Sequence, residues 1–223
     1  MRTAYLWRLG VAGLPVTVGC LLAPPASAAI PIGGGAGIVV DDTYCTLATI
    51  GHDNNGELVG FAAGHCGGPG SQVVAEGTDT TVGSVAVVGG NLDYAVVKID
   101  PAKVTPVANI AGFAINGIGP DPEWHQDVCT NGAANGIQCG RVSSIPGPGP
   151  RSAMSHAVFQ PGNDGGPITS NDLLIGLVYG GHTLPADRGI PQIDWTQYTK
   201  FSAILDDVNA NGGPGTAFAP IPG

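Results

Sequence analysis

The sequence predicts an all-β protein of the sandwich or barrel kind, on three observations. Short Val- and Ile-rich runs recur along the chain. Gly, Asn and Asp punctuate them at strand-like intervals. One stretch alone, near the C-terminal end, has helical periodicity. The 37 glycines and 19 prolines among 223 residues would suit a disordered chain if apolar runs were missing, and they are not.

Taken in order, the chain opens with an export signal. Arg2 and Arg8 precede the uncharged, mostly apolar stretch Gly10–Leu22, and Ala26-Ser27-Ala28 supplies small residues for cleavage, giving a signal peptide over 1–28. The apolar run is too short to span a bilayer, and a secreted or cell-envelope protein without membrane attachment is expected. A lipid-modified Cys20 is the weaker reading, because Thr17 is a poor residue three places before such a cysteine.

A first set of strands is predicted at Gly37–Val40, Thr46–Ile50, Leu58–Ala62, Gln72–Ala75, Val82–Val88 and Tyr94–Ile99. Asp53-Asn54-Asn55-Gly56 has the composition of a hairpin turn. Asn116–Glu123 is the candidate linker to a second set at Asp127–Thr130, Gly140–Ile145, Ser152–Phe159, Gly166–Thr169 and Leu173–Tyr179. Ser144–Pro150 is a Pro/Gly connector. The helix is predicted over 194–210: Asp194 as cap with Gln197 three residues on, then Tyr198, Phe201, Leu205 and Val208 on one face, ended by Asn211-Gly212-Gly213-Pro214. The Gly/Pro-rich remainder, 211–223, reads as a loose tail.

Charge narrows the function classes. With Arg2 and Arg8 lost in the leader, six basic side chains remain against 17 acidic ones, a formal charge of −11. That argues against nucleic acid and anionic lipid as partners. Cys45, Cys66, Cys129 and Cys139 form an even set in an exported chain and read as two disulfides, with three connectivities open. Their spacing is not that of a zinc site, and no metal or cofactor is expected.

Three segments carry the chemistry. They are Ala63-Gly64-His65-Cys66, then Asn91-Leu92-Asp93-Tyr94-Ala95-Val96, then Gly162-Asn163-Asp164-Gly165-Gly166-Pro167. Their order and spacing resemble the His, Asp and Ser segments of chymotrypsin-like serine proteases. Cys129 to Gly140, Tyr179-Gly180-Gly181 and a C-terminal helix extend the likeness to the secreted bacterial, streptogrisin-like branch over most of residues 36–210. The resemblance implies two six-stranded antiparallel β-barrels, about 36–115 and about 123–193, within one domain over 29–210. It implies the pairs Cys45–Cys66 and Cys129–Cys139. It also implies His65 as base, Asp93 as its orienting carboxylate, and an oxyanion hole from the N–H groups of Gly162 and residue 164. Tyr179, Gly180 and Gly181 would form the strand that pairs with substrate.

The sequence departs from that family at the decisive position. Gly-Asp-Ser-Gly-Gly-Pro is the usual nucleophile loop, and here Asp164 stands where the Ser would, with Asn163 in place of the preceding Asp. A carboxylate attacking a peptide carbonyl is a poor, delocalised nucleophile, has no proton for His65 to take, and repels the developing oxyanion. The expectation is a catalytically inactive protease homologue, a monomer that binds peptide or protein in a retained cleft. An active hydrolase with non-standard chemistry and an inert structural protein are the alternatives. For the Asp164 carboxylate two placements stand open: paired with a protonated His65 between two carboxylates, or turned to accept the Gly162 and Asp164 N–H groups. His52, His125, His156 and His182 are too scattered for a metal site, Ser155 beside His156 is badly placed for a dyad, and Asp53–Glu57 lacks the alternating spacing of a calcium loop.

Overall fold

Two large sheets account for most of the strands in the computed structural model, which describes residues 28–144, 149–189 and 191–223. The export-signal reading, Cys20 included, lies outside the described residues apart from Ala28, as does the middle of the Ser144–Pro150 connector.

The first sheet is built from β1 (Gly37–Val40), β2 (Thr43–Thr46), β3 (Thr49–His52), β4 (Leu58–Ala63), β5 (Gln72–Ala75), β6 (Thr81–Gly89) and β7 (Tyr94–Ile99). Side-chain alternation is plain in β1, where Ile38 and Val40 are buried and their neighbours only partly so. The antiparallel order is β3-β4-β7-β6-β5-β1-β2. The run predicted as one strand over Thr46–Ile50 is two, β2 and β3, which pair on opposite sides, β2 with β1 and β3 with β4. Buried Leu47 and Ala48 make the bend between them, and the ladder itself remains an open half-barrel.

The second sheet contains β8 (Asp127–Gly132), β9 (Gly136–Ser144), β10 (Arg151–Ser155), β11 (Pro167–Ser170), β12 (Leu173–Leu184) and β13 (Ile193–Lys200). Their order is β12-β11-β8-β9-β10-β13, and pairing of β13 with β12 closes a six-stranded antiparallel barrel. Within the linker, Gly117–Ile118 pairs in parallel with Leu173–Leu174.

Closure of this barrel corrects the helix. Residues 194–200 are strand, and α1 spans Phe201–Asn211. Asp194 caps nothing; its carboxylate accepts from the Thr183 hydroxyl at 2.7 Å and from the Gln192 amide. The capping-box pattern was local, whereas Thr196 and Tyr198 alternate inward with the period of a strand and complete the barrel. Helical spacing takes over at Phe201, with Ile204 and Val208 buried on the same face.

The tail is likewise ordered, against the expectation for 211–223. Ala219–Pro220 pairs with β3 as β14. Phe218, 6 % exposed, packs edge-on against Phe61 with ring centroids 4.9 Å apart. Its Gly/Pro composition hid one aromatic anchor. Asp53 helps to hold the tail, since its Oδ1 accepts the Asn55 and Glu57 N–H groups while Oδ2 takes the Gly215 N–H. The Asp53–Glu57 segment is thus a self-bonded turn.

Candidate active site

His65 sits in a short 3-10 turn, Gly64–Cys66, where β4 ends. The disulfide Cys45–Cys66 fastens this turn to β2, and both cysteines are buried. Asp93 lies just before β7 in the left-handed region, φ 54°, which turns its carboxylate back towards His65. Two contacts join them: the His65 backbone N–H donates to Asp93 Oδ1 at 2.9 Å, and His65 Nδ1 lies 2.8 Å from Oδ2. Gly64 eases a close approach, since a Cβ there would lie 3.0 Å from the Tyr94 carbonyl oxygen and 3.1 Å from Asp93 Oδ1.

On the opposite side of the imidazole, Asp164 Oδ1 lies 3.3 Å from His65 Nε2. The ring therefore stands between two carboxylates. The hydrogen bond to Asp164 and then that to Asp93 raise the His65 pKa to about 10, against the opposing effect of partial burial. Burial pushes the Asp93 carboxyl up, but its hydrogen bond to His65, the imidazolium charge and the Arg151 charge outweigh it and hold the group below the ordinary carboxylate range.

The loop carrying Asp164 is shaped by glycine and held from the first half. Gly162 and Gly165 have φ of 102° and 87°. A methyl on Gly165 would lie 2.3 Å from the Thr46 carbonyl oxygen, so no side chain fits. Thr46, fully buried in β2, grips the loop three ways. Its N–H donates to the Asp164 carbonyl at 2.8 Å, its hydroxyl donates to the Gly162 carbonyl at 2.6 Å, and the same hydroxyl accepts the Ala133 N–H at 2.9 Å. Asn163 is buried too: Oδ1 accepts the Ala134 N–H at 3.3 Å and Nδ2 donates to Asn135 Oδ1 at 2.8 Å. Those partners lie in the β8–β9 hairpin, which Cys129–Cys139 crosses between directly opposed residues. The backbone N–H groups of Gly162 and Asp164 donate to no acceptor among the described residues. The Asp164 carboxylate thus takes the His65-facing placement of the two left open by the sequence.

The strand residues Tyr179, Gly180 and Gly181 lie on β12 beyond the point where β11 leaves it at Leu177, with a register shift between Val178 and Gly180. A Cβ on Gly180 would meet open space, whereas one on Gly181 would collide with Phe159. Arg151 lies over the Tyr179 ring, 4.3 Å from its centroid, and its Nη2–H donates to the Asn91 carbonyl at 3.1 Å. Thr199, opposite Arg151 on β13, donates its hydroxyl to the Leu92 carbonyl at 2.9 Å. Together they tie the second barrel to the turn that presents Asp93.

Sequence reasoning brought His65, Asp93 and Asp164 together and missed Thr46, Arg151, Phe159 and Thr199. A hydroxyl residue beside Cys45 was the faint signal for Thr46. The other three are recruited by strand pairing and leave no local pattern.

No protein-family model and no curated protein matches the chain. Solved structures do. Thermobifida fusca protease A is 21% identical with a TM-score of 0.67, over 86% of this chain and 100% of that one. Nocardiopsis protease is 21% identical with a TM-score of 0.63, over 80% and 97%. Cellulomonas bogoriensis chymotrypsin is 20% identical with a TM-score of 0.62, over 87% and 100%. With two barrel-forming sheets, two disulfides and these neighbours, the chain has the fold of the bacterial chymotrypsin-like serine proteases.

Proposed function

We propose that this is a secreted, catalytically inactive homologue of the serine endopeptidases, which binds a peptide or protein segment in its retained cleft. The observation that carries the reading is the Asp164 carboxylate 3.3 Å from His65 Nε2, the side on which an attacking hydroxyl would stand. In the peptidase reaction His takes the hydroxyl proton as the oxygen attacks. Here the oxygen on that side belongs to a carboxylate, and the imidazole lies between two carboxylates that raise its pKa. Loss of the nucleophilic Ser in such enzymes leaves only about 10³–10⁴-fold acceleration over water.

Binding is supported by what the cleft keeps. Among the described residues the Gly162 and Asp164 N–H groups remain uncommitted and β12 from Gly180 onward is bonded along one side only. An extended segment can add to such an edge by main-chain hydrogen bonds. The two disulfides fit an oxidising, extracellular setting.

A fluorophosphonate probe tests the reading. The wild type is expected to stay unlabelled, and Asp164→Ser combined with Asn163→Asp to become labelled. Labelling of the wild type, or casein digestion abolished by His65→Ala, overturns it.

A further inference from the structure

Six basic side chains follow residue 28, and among the described residues five have a carboxylate within ion-pairing distance. These are Lys98 with Glu57 at 2.8 Å, Lys103 with Asp100 at 3.7 Å, Arg141 with Asp127 at 2.9 Å, Arg188 with Asp187 at 3.9 Å and Lys200 with Asp121 at 3.0 Å. Arg151 is the exception. After residue 28 acidic side chains outnumber basic ones 17 to 6, yet Arg151 has no carboxylate within ion-pairing distance among the described residues, the charge of Asp93 reaching it only from farther off.

The position of Arg151 is specific. Its guanidinium rests on the Tyr179 ring and spends one N–H on the Asn91 carbonyl, which fixes the plane of the fork. A guanidinium has five N–H donors, so donors remain for a ligand. The side chain is exposed, and Tyr179 immediately precedes Gly180 and Gly181, the open edge of β12. The ring that the guanidinium covers thus belongs to the residue next to that edge. Charge in the site is locally balanced, with His65 and Arg151 against Asp93 and Asp164.

We propose that Arg151 is the anion anchor of the cleft, and that the segment bound there carries an Asp or Glu side chain beside Tyr179. This rests on the peptide-binding reading above and names the class of peptide. Arg is suited to the role because its planar fork grips a carboxylate through two parallel hydrogen bonds. Alternate residues of an added strand face the same way, so the acid is expected at one position of the segment and not at its neighbours.

The test is fluorescence anisotropy on the full-length protein. The probes are fluorescein-labelled decapeptides of Ala, Val and Gly that carry Glu, Gln or Lys at each position in turn. For one position, the Glu peptide is expected to bind about tenfold more tightly than the Gln peptide, the loss expected when a charged hydrogen bond is removed. Arg151→Gln is expected to abolish that preference, weakening the Glu peptide about tenfold more than the Gln peptide. Arg151→Lys, which keeps charge but loses the fork, is expected to retain part of it, and serves if the Gln variant does not fold. Equal weakening of all peptides by Arg151→Gln would make Arg151 a strap for the Asp93 turn and overturn the proposal. Wild-type binding indifferent to peptide charge overturns the anchor alone. No binding of any peptide by folded wild type overturns the cleft-binding reading itself.

Discussion

In the first half, His65 and Asp93 flank the β4–β7 pair of one sheet, bonded to each other twice and backed by a buried disulfide. In the second half, Asp164 sits on a loop whose shape depends on a residue from the other half, Thr46. The cores differ in the same sense. The first joins seven strands with α1 and the tail through Phe61, Phe201 and Phe218, while the second barrel encloses a smaller cluster around Met154, Ile168 and Tyr198. The His65–Asp93 contacts are made within one half, with Arg151 and Thr199 of the other bracing the turn before Asp93, whereas the Asp164 loop is shaped across the halves. That shaping acts mostly on backbone atoms, which every residue but Pro supplies. The side chain at 164 takes no part in those contacts, whereas that of Asn163 is buried and bonded to the β8–β9 hairpin.

Four measurements break or sharpen that contrast. The largest effect is expected from Phe218→Ala, about 3–5 kcal/mol lost in denaturant unfolding, because the tail is part of the first core. A loss below about 1 kcal/mol would show that the first half does not need it. Next comes Thr46→Val, which removes the hydroxyl shared by Gly162 and Ala133 and leaves a part-buried N–H without its acceptor. About 1–3 kcal/mol should be lost, with faster amide exchange concentrated at residues 162–166. Exchange changing equally near His65 would mean the two sides are not held separately.

The third measurement is pH dependence. The folded pKa of His65 lies above its unfolded value, 6.5 against about 10. Its contribution to stability is therefore fully present below about pH 6.5 and lost as pH rises through about 10. With the side chain 45% exposed, solvent screening leaves about 1 kcal/mol. Imidazole NMR should report the charged form at pH 7, and a neutral ring at pH 6 would remove the ion-paired triplet. The smallest effect is expected for Arg141→Ala, whose ion pair with Asp127 is well exposed on both sides. Unfolding should change by less than about 0.5 kcal/mol, which makes it the control for the other three.

Much of the site is legible in the order of residues. His65 beside Cys66, Asp93 ahead of an apolar strand, and the Gly162–Pro167 loop each announce themselves by local composition. The helix start and the tail are not legible in the same way. Asp194 and Gln197 have the spacing of a capping box, yet β12 and β10 claim that stretch for the barrel wall. Phe218 lies in a Gly/Pro-rich stretch whose composition suggests disorder, and only its contacts with Phe61 and Phe201 give it a place to bury.

The sequence by itself determined the strand-rich architecture, the four paired cysteines and the three polar groups of the site, because periodicity, turn chemistry and residue type are local properties. Tertiary structure alone decided that the Asp164 carboxylate faces the imidazole, that Thr46 shapes the loop and that Arg151 has no carboxylate within ion-pairing distance among the described residues. Each of those depends on groups far apart in the chain, from 46 and 162 to 91 and 151, whose meeting is set by strand pairing and by the packing of two sheets against each other.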